Sequence, residues 1–578
     1  MRKRWIIKKA DKDIPGLLSK ELGISNIIAQ LLANRSILKP DEADRFLNCK
    51  LSDLHDPYLL KGMDRAVSRI KHALSKGEKI LVYGDYDVDG ITSVALLKSV
   101  LTKLGGHVLD YIPNRVEEGY GLNLNACRLA HRKKVHLLIT VDCGINAARE
   151  VDYLNSLSID SIIIDHHEVQ GGRLPKACAV IDPLQSGCDY PFKYLAGVGL
   201  AFKVAQALFN CPPDKMRDYL DIVALGTVAD IAPQLEENRI LTKHGLEVLT
   251  STKRIGLREL IMVAGLKGKE ISSGHVGYIL GPRINASGRI GSARKALQLL
   301  LTTRDDEARE IAEMLNQENR NRQRIEARIV QEAVEKIQVE VNFKDHKTIV
   351  LASEGWHPGV IGIVASRLVD KFYRPTAVIS LDKNVGRGSA RSISDFNLFE
   401  AISKSKEYLK EFGGHKAACG FSIEKKNIEK FKSLFNEFAK KVLLPEHLLP
   451  KLQADMDIPL NRLSEKLINE IGCLAPHGPK NPTPLFISKG IKLKNAPKVI
   501  GRKGVKFWVT DGRITCEAVA FGVSDAFLDI LKDGEIDLAY SPSVNLYKGL
   551  RSIKLDLKDV RASHVKYDIS NVASGSIL

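Results

Sequence analysis

The chain reads as an α/β protein with a parallel-sheet lobe, a long helix, a second and smaller α/β lobe, and a C-terminal β-barrel. Three observations predict this. Short apolar runs alternate with helical stretches between residues 78 and 235, as in a mainly parallel sheet with helices on both faces. Residues 305–339 are polar and highly charged with sparse apolar positions on one side, as in a solvated helix connecting two lobes. From about residue 452 the pattern changes to short alternating strands and turns.

Taken in order, residues 1–75 read as a lead-in of short helices. Strands are expected at 80–82, 108–112, 137–141 and 161–164, with a helix over 91–104. Residues 236–300 look mostly helical. The second α/β unit begins at 348–351 and continues through a helix at 360–372 and a strand at 376–379. Segments 506–512, 518–521 and 552–557 supply strands of the barrel. The expected domains are 1–75, 76–300 (catalytic), 301–345 (connecting helix), 346–445, 446–562 (barrel) and a polar, frayed tail at 563–578.

Charge narrows the function. Of 578 residues, 86 are Lys or Arg and 69 Asp or Glu, a formal net charge of +17. A basic surface around an acidic pocket suits a polyanionic substrate. The nine cysteines form no Cys-x-x-Cys pair, which argues against a zinc ribbon or a disulfide framework. Cys127, Cys143 and Cys178 lie among apolar neighbours and read as buried free thiols of a reducing, cytoplasmic compartment. No apolar run resembles a signal peptide or a membrane span.

The chemistry concentrates in four clusters. Asp85, Asp87 and Asp89 follow the apolar run 80–82 and are flanked by Gly84 and Gly90. Three carboxylates crowded at a strand end repel one another, and a hard divalent cation is their natural occupant. An EF-hand loop also begins Asp-x-Asp-x-Asp-Gly, but it needs Glu where this chain has Leu96, and a helix where this chain has a strand. A solvated acidic turn is the other competing reading. Asp142 ends the next apolar strand, Asp165-His166-His167 follows another, and Asp230 lies in Thr227-Val228-Ala229-Asp230. A lone Asp in such a place is more often a turn or cap residue. Four clusters in the same context point instead to a shared site. Asp85, Asp87, Asp89, Asp142, His166 and Asp230 suffice for two metals. The oxygen and imidazole donors suit Mn2+ or Mg2+ better than a thiolate zinc site. Two such ions, with Asp142 bridging them, are a known solution for in-line attack at phosphorus.

These motifs resemble the DHH phosphoesterase superfamily and, within it, the RecJ family of single-strand-specific exonucleases. The resemblance rests on Asp165-His166-His167 with Asp85 to Gly90 upstream. Supporting stretches are Gly119-Tyr120-Gly121-Leu122, Leu195-Ala196-Gly197-Val198-Gly199, Gly281-Pro282-Arg283-Ile284-Asn285-Ala286-Ser287-Gly288-Arg289, Gly355-Trp356-His357-Pro358-Gly359 and Gly413-Gly414-His415-Lys416-Ala417-Ala418-Cys419-Gly420. It implies a DHH catalytic lobe, a DHHA1 second lobe and an OB-fold barrel. It also implies a 5′-to-3′ exonuclease that releases mononucleotides from single-stranded DNA in recombination and repair. On this resemblance the six metal ligands carry over, with Asp85 held less firmly because it also suits a place behind the ligands. His167 orients or protonates groups at the scissile phosphate and Asp165 supports the site. Arg115, Ser389 and Arg391 grip the 5′ end, His415 approaches the scissile phosphate, and Arg283 and Arg289 lie along the strand's path or cap helix ends. The implied partners of a monomeric enzyme are a single-strand-binding protein and a RecQ-type helicase.

Residue chemistry in the second lobe agrees. Gly386 to Ser392 combines glycines, hydroxyls and guanidinium groups, a phosphate-holding set, although a flexible basic loop has the same composition. Aromatic residues are only 6%, so few bases are expected to stack. The turn Pro476-His477-Gly478-Pro479-Lys480-Asn481-Pro482 departs from the family pattern at His477 and Lys480. Lys416 and Cys419 are local variants as well. The rival readings are a phosphoesterase acting on short oligonucleotides and a non-catalytic scaffold. The first usually lacks a barrel, and the second would lack the carboxylates.

Overall fold

The computed structural model describes every residue except 1–2, 9–12, 116, 170–171, 502–503, 533, 548–549 and 564–578. The expected frayed tail therefore lies almost wholly outside the described residues. The chain forms two units: residues 44–323 with 475–482, and residues 1–43 with 324–474 and 483–578.

The first unit is built on five parallel strands: β1 (Lys79–Gly84), β2 (His107–Tyr111), β3 (Leu137–Val141), β4 (Asp160–Ile164) and β5 (Ala179–Ile181). Their order is β2-β1-β3-β4-β5. β3 is buried along its whole length and β1 along all but its first residue. That is why these runs are continuously apolar rather than alternating. The order changes direction between β1 and β3, and such a switch point opens a crevice beyond the strands' carboxyl ends. Register makes that crevice acidic. Gly84 pairs with Val141, Val141 with Ile164, and Ile164 with Ile181. The next residue on each strand is an aspartate: Asp85, Asp142, Asp165 and Asp182.

Five helices matter for the site: α1 (Val88–Lys103), α2 (Gly197–Phe209), α3 (Leu220–Ala229), α4 (Glu236–Thr250) and α5 (Gly281–Ile290). α1 starts three residues earlier than the apolar pattern suggests, because Asp87 caps it. The Asp87 carboxylate accepts from the amides of Asp89 and Gly90 at 2.9 and 3.1 Å, the usual N-cap arrangement. Gly90 is required there, since a Cβ would lie 2.5 Å from the Asp85 carbonyl oxygen. α1 is buried from Val88 to Leu97, so it sits inside the core rather than on its surface.

In the second unit, a five-stranded sheet has the order Leu409–Gly414, Ala418–Glu424, Val385–Arg391, Thr376–Asp382, Ile349–Glu354. The last two strands are parallel and the rest antiparallel. The loop reading of 386–392 is overturned: Val385–Arg391 is an interior strand. Its glycines admit neighbours, since a Cβ on Gly388 would lie 2.2 Å from the Phe421 ring. The C-terminal sheet has seven strands, and an additional pairing between Phe486–Leu493 and Gly504–Thr510 curls it into the expected barrel.

Three other expectations meet the structure. The connecting helix spans Asp305–Glu340, as the charge pattern predicted. The lead-in is not wholly helical: Arg4–Ile7 is a strand paired in parallel with Lys451–Ala454. Trp5 fixes it by donating its indole N–H to Asp559 at 2.8 Å, with the Arg561 guanidinium 4.0 Å from its ring centre. Cys127 and Cys143 are buried thiols, whereas Cys178 is half-buried.

Candidate metal centre

The crevice at the carboxyl ends of β1, β3 and β4 brings the predicted ligands together. Three groups of side chains each offer ligand atoms within 4.8 Å of one another: Asp85, Asp87 and Asp142; Asp89, His166 and Asp230; and Asp142, His166 and His167. Asp142 and His166 each belong to two of them, and of the two the Asp142 carboxylate, with two oxygens, is the one suited to bridging. Asp142 follows β3 in a left-handed conformation, φ +58°, a costly one for a residue with a Cβ and one that clusters at functional sites.

Several of these groups are held from behind. Asp89 accepts from the amides of Gly197 and Val198 at 2.7 and 2.8 Å. These open α2, so the positive end of that helix faces the carboxylate. His166 Nε2 lies 3.0 Å from Asp142 Oδ1 and 3.9 Å from Asp89 Oδ2. Asp165 is spent on support. Its Oδ1 accepts from the amides of His166 and His167 and from His167 Nδ1 (2.7 Å), and its Oδ2 accepts from the amide of Ile145. Asp230 caps the end of α3.

The electrostatics show what this pocket costs without cations. Burial and the charge of Asp87 raise Asp85 well above the usual carboxylate range and push Asp89 up to about 7. Burial and then the charges of Asp89 and Asp87 raise both Asp142 and Asp230. Burial and the neighbouring His167 charge lower His166 to about 4, leaving it neutral at pH 7 as a ligand must be. Burial opposes the charge on His167, but the hydrogen bond to Asp165 together with the charges of Asp165, Asp230 and Asp89 outweighs it and brings His167 to about 9. The donors fit divalent cations. They are carboxylate oxygens and imidazole, the set that suits Mn2+ and Mg2+, and buried Asp85 Oδ1 accepts no hydrogen bond from the described residues. This favours Asp85 as a direct ligand.

The remaining predicted residues divide between the units. Arg115 lies 4.8 Å over the Tyr86 ring, near enough for its charge to act on Asp85. Arg283 donates to Ile279 O at 2.6 Å and to Asn316 at 3.1 Å, so much of its guanidinium supports the helical turn before it. The charge of Arg289 reaches Tyr86. Ser389 and Arg391 meet in the second unit, with Arg391 Nη1 3.2 Å from Ser389 Oγ. His415 is at the turn between Leu409–Gly414 and Ala418–Glu424, its amide bonded to Ala418 O.

Sequence reasoning missed several supports. Asn285 accepts from the Val88 amide at 3.2 Å and so steadies the acidic turn. The Tyr120 hydroxyl lies 3.1 Å from His167 Nδ1. Asp182 completes the row of aspartates. It is fully buried, Oδ2 has no hydrogen-bond partner, and burial raises it to about 7. Asn285 and Tyr120 stand in quoted motifs, but nothing local to the sequence marks their partners.

Comparison with known proteins agrees with this geometry. Residues 79–227 match the model of the DHH family N-terminal domain, 345–441 that of the DHHA1 domain, and 454–559 that of the RecJ OB domain. The single-stranded-DNA-specific exonuclease RecJ of Bacillus subtilis is 39% identical over 97% of this chain and 71% of that protein. That of Escherichia coli is 31% identical over 97% and 100%. The crystal structure of Thermus thermophilus RecJ with Mn2+ superposes with a TM-score of 0.83 at 28% identity, covering 98% of this chain and 80% of that one. A Mg2+ complex of that protein matches with a TM-score of 0.78. With its three domain types in order and its acids gathered at one set of strand ends, the chain belongs to the RecJ family of DHH-superfamily single-stranded-DNA-specific exonucleases.

Proposed function

We propose that the chain degrades single-stranded DNA from the 5′ end, releasing 5′-mononucleotides by hydrolysis at a centre of two divalent cations, in recombination and repair. The observation that carries this reading is the gathering of five buried or half-buried aspartates and two histidines at the strand ends. So many carboxylates can stay ionised together only where cations neutralise them.

Asp85, Asp87, Asp89, Asp142, His166 and Asp230 would hold the ions. When bound, two divalent ions activate water and stabilise the leaving oxygen of an in-line displacement. The protein's own groups do the rest. Asp165 fixes the His167 ring through Nδ1 and favours its protonated form. His167 can then donate to a phosphoryl or departing 3′ oxygen. Arg115 supplies a guanidinium beside the acidic turn. Ser389 and Arg391 form a hydroxyl-guanidinium pair suited to a terminal phosphate. His415 is assigned to the scissile phosphate, and Arg283 and Arg289 to the strand's path. The barrel supplies the fold that tracks single strands. A single-strand-binding protein and a RecQ-type helicase as partners, and a cytoplasmic location, rest on the family resemblance.

The test is a timed digestion of 5′- and 3′-labelled single-stranded and duplex DNA, with and without Mn2+. The reading requires early release of 5′-labelled mononucleotide from the single strand, dependent on metal. Equal attack on duplex, or release beginning at the 3′ label, would reject it.

A further inference from the structure

Asp230 stands at the C-terminal end of α3, away from the strand ends and the start of α1 that carry the other ligands. The backbone after it turns through Ile231 at φ +61° and enters α4 at Glu236, φ +38°, so the course between the two helices is not set by helix geometry. A remote segment sets it. Residues 475–482 leave the barrel sequence and pack into the catalytic unit. Three of their carbonyls accept hydrogen bonds from that unit. Pro479 O accepts from the Gln234 amide at 2.9 Å, His477 O from Ser273 Oγ at 2.7 Å, and Pro476 O from buried Arg239 at 3.5 Å. The turn is internally rigid. Gly478 and Asn481 exchange both backbone hydrogen bonds at 2.9 and 3.1 Å, and the fully buried Asn481 amide donates to Pro476 O at 2.9 Å.

Gly478 and Gln234 are the point of closest approach. A Cβ on Gly478 would lie 2.6 Å from Gln234 Cγ, inside any real contact distance. Gln234 is almost fully buried and donates to Ala232 O at 3.2 Å, which stiffens the three residues between it and Asp230. Groups behind metal ligands commonly set metal affinity by tenfold to a hundredfold when altered.

We propose that the 475–482 turn is a positioning element of the metal centre: through Gly478 and Gln234 it sets Asp230, and with it the affinity for one of the two cations. This places within the catalytic unit a segment that the sequence assigns to the barrel. The inference rests on the reading of Asp230 as a metal ligand.

The experiment measures Mn2+ binding to the full chain by electron paramagnetic resonance of the free ion, beside exonuclease activity and metal-free thermal unfolding. Four variants are compared: Gly478→Ala, Gln234→Ala, the pair together, and Asp230→Ala. Gly478→Ala is expected to weaken one Mn2+ about tenfold, a loss beyond what the overlap takes from the metal-free fold. Gln234→Ala removes the colliding Cγ, so the double variant should bind that Mn2+ no worse than Gln234→Ala alone. Unchanged Mn2+ affinity in Gly478→Ala would overturn the proposal. So would a loss that the second substitution does not relieve, or one that tracks a fall in metal-free stability. If Asp230→Ala binds both ions normally, the ligand assignment itself fails, which is a separate result from a failure of the clamp.

Discussion

Asp142→Asn should make the metal-free protein more stable while removing its activity. The substitution deletes one charge from a pocket that also holds Asp85, Asp87, Asp89 and Asp230, and it keeps an oxygen that can accept from His166 Nε2, now 3.0 Å away. At the 4.8 Å spacing of the ligand atoms and an effective dielectric constant of about 20, two like charges repel by roughly 3 kcal/mol. Asp89 gives a similar scale. Its rise from 3.8 to about 7, at about 1.4 kcal/mol per pH unit, makes its ionised form cost roughly 4 kcal/mol. Relief of one such interaction in a unit of this size raises the unfolding temperature by several degrees. Mn2+ at a hundred times its dissociation constant stabilises the native chain by about 2.7 kcal/mol, and the variant should lose most of that gain. The assay is scanning calorimetry at pH 8 with chelator and with Mn2+, beside nuclease activity, which should fall at least about a hundredfold. A variant less stable than the parent in chelator, or equally stabilised by Mn2+, would refute the electrostatic argument.

Three other outcomes follow from the same geometry. Asp89 is raised in the folded, metal-free state, so its stabilising contribution is complete below about pH 3.8 and is lost as pH climbs towards 7. Metal-free stability should therefore fall across that window, and saturating Mn2+ should flatten the fall. Asp165→Asn keeps an acceptor but removes the negative charge that favours the His167 proton, so His167 should titrate well below its present value of about 9, seen by NMR; an unmoved titration would break the Asp165–His167 assignment. Arg391→Ala in the second unit should raise KM for 5′-phosphorylated single strands about tenfold or more, with kcat less affected, if its guanidinium holds the terminal phosphate. An equal loss on 5′-hydroxyl substrate would count against that role.

Much of the site was legible because its signals are local. An apolar run followed by an acid marks a strand end whatever lies around it, and Asp85, Asp142 and Asp165 were found in this way. Asp182 ends the same row but follows β5, only three residues long, too short for a period to show. It becomes visible only through the pairing of Ile164 with Ile181. Helix starts that serve a distant acid were also hidden. The amides of Gly197 and Val198 reach Asp89 across more than a hundred positions, and no side-chain pattern encodes a backbone donor. Val385–Arg391 looked like a loop because glycine disfavours strands in isolation, whereas here glycine makes room for Phe421. Arg4–Ile7 is four residues, and its strand character depends on partners near 451 and 559. The turn at 475–482 carries family motif residues, but its membership of the catalytic unit is a tertiary fact.

The most direct test of the central claim is a calorimetric Mn2+ titration at pH 6.5 in buffers of different ionisation enthalpy, which counts ions and protons together. Carboxylates held partly protonated by burial and mutual repulsion must shed protons as cations enter. Two Mn2+ bound per chain with net proton release, both largely lost in Asp142→Asn, is the predicted result. Binding of no more than a single weak ion with no proton released would contradict it.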